Sequence, residues 1–96
     1  MAVVEVKIPT VLQKVVGGPK NVKAKGDTVG QVLNEMEKNY PGLKGRITDP
    51  QGKLNNFIII FVNDQDIRFK KELDTSLQDG DVLFILPAIA GGLFIL

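Results

Sequence analysis

Phe57-Ile58-Ile59-Ile60-Phe61-Val62 carries an apolar side chain at every position. Successive residues of a strand point to opposite faces, so both faces of this one must meet something other than water. Val82-Leu83-Phe84-Ile85-Leu86 repeats the pattern before Pro87 stops it. A single convincing helix accompanies these strands, and one helix covers one face of a sheet. If Ile58, Ile60, Val62, Leu83 and Ile85 face that helix, then Phe57, Ile59, Phe61, Val82, Phe84 and Leu86 face out. An apolar patch of this kind on a small domain marks a partner surface, unless a loop folds over it.

The helix is signalled by Asp27-Thr28, with Gln31 three residues after Thr28 in capping-box position. Val29, Val32, Leu33, Met36 and Tyr40 fall on one side, while Gln31, Asn34, Glu35 and Lys38 fall away from it, and Pro41-Gly42 ends it. Met36 and Tyr40 have no polar company that would suit a cofactor and read as core. Before the helix, Val4, Val6 and Ile8 alternate with Val3, Glu5 and Lys7 up to Pro9, and Asn21 to Ala24 returns antiparallel after the Gly17-Gly18-Pro19 break. After it, residues 43–53 read as a polar loop with a turn at Asp49-Pro50-Gln51-Gly52. Asn63 to Asp66 reads as a turn, Ile67-Arg68-Phe69 as a short strand, and Asp79-Gly80 as the turn into the last strand. The expected architecture is α+β: one helix across one face of a four- or five-stranded mixed sheet, with the first and last strands side by side in its middle.

The chain continues past this sheet as Ala88-Ile89-Ala90-Gly91-Gly92 and then Leu93-Phe94-Ile95-Leu96. Adjacent glycines near a chain end weaken local order, but they provide backbone without Cβ that fits a narrow slot in another protein. Extended, Ala88 to Gly92 projects roughly 16 Å. A frayed linker is the bland alternative. The domain is therefore drawn over residues 1–87, with residues 88–96 as its tail.

Cysteine and histidine are both absent. That removes disulfides, thiolate nucleophiles, Cys/His metal sites and the commonest general base. No metal site is expected. Asp64 with Asp66, and Asp79 with Asp81, are carboxylate pairs, but each sits at a turn where backbone hydrogen bonding explains it. The net charge of +1 argues against nucleic acid as a partner. Lys7, Lys14, Lys20, Lys23 and Lys25 bias the first quarter of the chain without interleaved aromatics, and read as a solvated face. With no cationic leader and no apolar run of spanning length, a cytoplasmic protein without membrane contact is expected.

Taken together, Gly26-Asp27-Thr28, Val62-Asn63-Asp64-Gln65-Asp66-Ile67-Arg68-Phe69, Leu77-Gln78-Asp79-Gly80-Asp81 and Leu86 through Gly92 resemble the ubiquitin-like β-grasp sulfur carriers of the ThiS/MoaD group. Ile8-Pro9-Thr10-Val11-Leu12 and the Gly17-Gly18 break resemble most the carrier branch of the thiocarboxylate-dependent cysteine pathway. The resemblance spans residues 3–92. It implies a non-enzyme acted on by partners, with Gly92 as the reactive terminus and Ala88, Ile89, Ala90 and Gly91 as the segment inserted into a partner. Phe57, Ile59, Phe61, Val82 and Phe84 form the partner surface on this reading.

In that group the reactive carboxylate is that of the final glycine. In this chain Gly92 is in peptide linkage to Leu93. The resemblance then implies a precursor, cut between Gly92 and Leu93 by a zinc metalloprotease. An ATP-using adenylyltransferase and sulfurtransferase of the ubiquitin-activating type would convert Gly92 to a thiocarboxylate. A pyridoxal-phosphate-dependent cysteine synthase would spend the sulfur on an aminoacrylate from an activated serine. No cofactor is expected on the chain itself. Other destinations remain open: the large subunit of molybdopterin synthase, the thiamine route, attachment to a target lysine as a protein modifier, or a plain interaction module.

Overall fold

The computed structural model describes residues 1–88. Its strands are β1 (Ala2–Lys7), β2 (Asn21–Gly26), β3 (Ile58–Val62), β4 (Gln65–Asp66) and β5 (Val82–Pro87); its helices are α1 (Thr10–Gln13) and α2 (Val29–Asn39). They form one five-stranded sheet in the order β2-β1-β5-β3-β4. β1 and β5 are parallel neighbours at the centre, and the other pairings are antiparallel. This is the mixed sheet with one main helix expected of a β-grasp fold.

α2 starts where its sequence says it should. The Gln31 N–H donates to Thr28 Oγ1 at 3.2 Å. The reciprocal arm lands one residue earlier than in the usual capping box, with the Asp27 N–H donating to Gln31 Oε1 at 2.7 Å. Val29, Val32, Leu33 and Met36 are buried against the sheet, and Tyr40 packs at the margin of the core. Gly26 permits this approach. A Cβ there would stand 2.8 Å from the Val32 amide nitrogen, a backbone atom with no freedom to yield.

The parity of the apolar strands is as read. Ile60, Val62, Leu83 and Ile85 are buried on the helix side, and Ile58 packs against the same core. Ala2, Val4 and Val6 supply the inward positions of β1. The Asp49–Gly52 turn closes with a 2.9 Å bond from the Gly52 N–H to the Asp49 carbonyl, and Gly52 has φ +84°.

The connection between β1 and β2, unassigned in the sequence, holds α1, which buries Leu12. Two readings need correction. Residues 43–53 are not merely a polar loop, because Leu43 and Ile47 are fully buried and close the core below α2. Ile67–Phe69 is a 3-10 turn, and the fourth strand lies earlier, at Gln65–Asp66. The reason is Asp66. Its carboxylate accepts from the Arg68 N–H at 2.9 Å and from the guanidinium at 2.6 Å, a local partner that outcompetes a continued ladder. Asn63, at φ +56°, makes the tight reversal between β3 and β4.

Two outcomes test this packing. Ile60→Ala should lower unfolding free energy by about 2–5 kcal/mol, and Ile59→Ala by well under half of that, because only Ile60 leaves a cavity. Equal losses in urea titrations would invert the parity. The hydrogen bonds from Arg68 hold the Asp66 carboxyl below its ordinary value, against the upward push of burial. A depressed folded pKa gives stability that is present above the unfolded value of about 3.9 and lost as pH falls below it. Asp66→Asn should therefore cost stability at neutral pH, with the difference from the parent closing below about pH 4.

Candidate functional site

β5 leads the chain toward the diglycine segment. The Asn63 N–H donates to the Val82 carbonyl at 2.7 Å, and the Ala88 N–H donates to the Phe57 carbonyl at 2.8 Å. The even residues of β5 thus address β3, and Pro87 addresses the side of β1. Pairing with β1 is finished by Lys7↔Phe84, so a residue with no N–H at position 87 breaks no ladder bond. Ala88, assigned to the tail, is tied to the start of β3. Ile89, Ala90, Gly91, Gly92 and Leu93 lie outside the described residues.

The face of the sheet away from α2 carries the predicted partner residues together. Phe61 stands directly opposite Phe84, and Ile59 opposite Leu86. Phe57 is 62% exposed, and Ile59, Phe61, Val82 and Phe84 are half-buried. No described loop buries them. Val3 and Leu86, both 39% exposed, extend the patch. Val3 was legible from the alternation of β1, which puts it opposite in parity to buried Val4.

Across β1 and β2 the same face turns charged. Glu5 pairs with Lys23 across the strands, Lys7 with Asn21, and Val3 with Lys25. The Lys7–Glu5 contact at 3.7 Å is an exposed pair of little energetic weight. The surface is therefore an apolar centre on β3 and β5 with a mainly basic flank. Lys7, Lys23 and Lys25, read in the sequence as a solvated face, supply that flank.

Of the carboxylate pairs, Asp66, Asp79 and Asp81 have structural duties. Asp79 Oδ1 accepts from the Val3 N–H at 2.8 Å, and Asp81 Oδ2 from the Gln78 N–H at 2.9 Å. Asp81 Oδ1 accepts from Asn63 Nδ2 at 3.1 Å, while Asn63 Oδ1 accepts from the Val82 N–H. Sequence reasoning missed this lock between the β3–β4 reversal and the entry to β5. Among the described residues no cluster of three or more acidic, His or Cys side chains could hold a metal, and no helix is long and apolar enough to cross a membrane.

Comparison with known proteins bears on both the sheet and the tail. Residues 6–92 match the ThiS family. The chain is 50% identical over 91 residues to the sulfur carrier protein CysO of Mycobacterium tuberculosis, covering 93% of this chain and 98% of that protein. A chain of the Amycolatopsis orientalis BexX/CysO complex superposes with a TM-score of 0.84 at 46% identity, over 93% of this chain and 99% of that one. The small archaeal modifier protein 1 of Methanosarcina acetivorans superposes with a TM-score of 0.86 at 33% identity, over 96% and 98% of the two chains. From its first strand to its diglycine this chain belongs to the ThiS family.

Proposed function

We propose that the chain is a sulfur carrier whose working terminus is Gly92. The observation that carries this reading is where the family match stops: it ends at Gly92 and leaves residues 93–96 beyond it. Half-identity to a protein named as a sulfur carrier, across nearly the whole of both chains, supports it.

On this reading a zinc metalloprotease hydrolyses the Gly92–Leu93 bond and exposes the Gly92 carboxylate. A partner of the ubiquitin-activating type joins that carboxylate to AMP from ATP, releasing pyrophosphate. Sulfide sulfur then attacks the acyl carbon, AMP leaves, and a thiocarboxylate remains. A pyridoxal-phosphate-dependent cysteine synthase accepts the sulfur for cysteine formation. The carrier itself holds no cofactor and moves no proton. Its contribution is to present an unhindered terminal carbonyl on a strip of chain that a partner can enclose away from water.

Phe57, Ile59, Phe61, Val82 and Phe84 dock the partner on this reading, while Ala88, Ile89, Ala90 and Gly91 occupy its channel. That a CysO chain has been crystallised in a complex with BexX supports docking through a shared fold. On this reading the chain works in the cytoplasm alongside its ATP-using partner. A second reading, attachment of Gly92 to a target lysine, draws on the likeness to an archaeal modifier protein.

Full-length chain should be inert in ATP–pyrophosphate exchange with the activating enzyme, and chain ending at Gly92 should be active. Equal exchange by both forms would dismiss the precursor reading. In the trimmed form, Gly92→Ala should leave thermal unfolding unchanged and cut thiocarboxylate yield about a hundredfold, since ~1 Å of misplacement at a reacting carbonyl has that effect. Mass spectrometry separates the two readings: a thiocarboxylate changes one oxygen for sulfur, whereas a modifier appears joined to a second protein.

A further inference from the structure

β4 pairs with β3 only at Phe61↔Asp66 and Val62↔Gln65. Along the rest of that edge, Ile58–Ile60 have no strand beside them among the described residues. A groove of about 570 Å³ lies there. Leu54, Ile58, Ile59 and Leu73 line it, each only half-buried, and its exposed rim carries both signs of charge, Lys53, Arg68 and Lys71 with Glu72 and Asp74. Ala88 lines the groove as well, so the chain leaves the sheet at its mouth.

We infer that this groove seats the chain's own residues Leu93-Phe94-Ile95-Leu96, laid along the open edge of β3. Three features select this occupant. The chemistry matches, since four consecutive large apolar residues meet the aliphatic side chains of Leu54, Ile58, Ile59 and Leu73. The size matches, since the volume lies within the roughly 300–1,000 Å³ usual for an occupied apolar site. The path matches: eight residues follow Ala88, enough for about 26 Å of extended chain. Gly91 and Gly92 fall midway, where residues without Cβ can reverse the chain and send residues 93–96 back toward Ala88.

An unpaired strand edge takes an extended segment through main-chain hydrogen bonds, with alternate side chains entering the trough. Residues 93–96 then hold Gly92 beside the domain. Their removal would clear the groove and release the diglycine together. This inference concerns the uncut chain and does not depend on the sulfur chemistry.

The chain has no cysteine, so Asp74→Cys on the exposed rim takes one nitroxide label. Amide signals of residues 93–96 should lose intensity several-fold relative to the same chain labelled through Gln78→Cys, which precedes β5 at the other end of the sheet. Equal intensities in the two samples would overturn the inference. So would broadening in a mixture where the nitroxide and the isotope label are on different molecules, since a second copy would then be the occupant. Independently, unlabelled-site spectra of full-length chain and chain ending at Gly92 should differ at Leu54, Ile58, Ile59 and Leu73. Differences confined to residues 88–92 would refute the docking.

Discussion

β5 is hydrogen-bonded on both edges, in parallel to β1 and antiparallel to β3, while α2 covers only one of its faces. The rest of the molecule follows from this placement. Leu83 and Ile85 are sealed under the helix, and Phe84 and Leu86 from the same strand stay at the surface. A parallel pair cannot be joined by a hairpin, so the centre of the sheet forms only when the first and last strands meet. The turn cluster of Asn63, Gln78 and Asp81 secures the entry to β5 through side-chain hydrogen bonds. The Ala88–Phe57 bond secures its exit.

Much of this was legible because the strongest signals in the sequence are also the ones burial enforces. A one-residue slip of β3 or β5 would exchange every inward and outward side chain, so parity in a wholly apolar strand is set by what the neighbouring strands and helix leave room for. Thr28 and Gln31 announced the start of α2 because their hydrogen bonds are local. Ile67–Phe69 was misread for a related reason. Ile-Arg-Phe alternates like a strand, but Asp66 two residues before Arg68 offers both a cap and an ion pair, and these close a 3-10 turn. Leu43 and Ile47 were missed because isolated apolar residues in a polar stretch carry no period, and their burial depends on where the loop lies under α2. The groove beside β3 had no sequence signal, because it arises from β4 being only two residues long.

Three carboxylates of the described domain are engaged by its own architecture. Asp66, Asp79 and Asp81 each hold a turn, and no buried side-chain polar atom lacks a partner. The reactive group of the proposed function belongs to the backbone, at Gly92. Among the described residues the buried core ends at Ile85, seven residues before Gly92.

The same geometry joins docking to delivery. Phe57 gives its carbonyl to the Ala88 amide and turns its ring, 62% exposed, onto the outer face. The proposed partner surface and the root of the tail therefore share one residue pair. A partner that closes on Phe57, Ile59 and Phe84 receives the tail at a fixed offset, and entry of Gly92 into its channel becomes an intramolecular event. Short tethers of this kind hold a group at effective concentrations in the millimolar range, without any contact to the tail itself. A rigid root also limits the orientations the tail must give up on entry, so more of the docking energy remains for alignment at the carbonyl. A longer or looser connection between β5 and the diglycine would keep the surface and the glycine intact and still dilute that advantage.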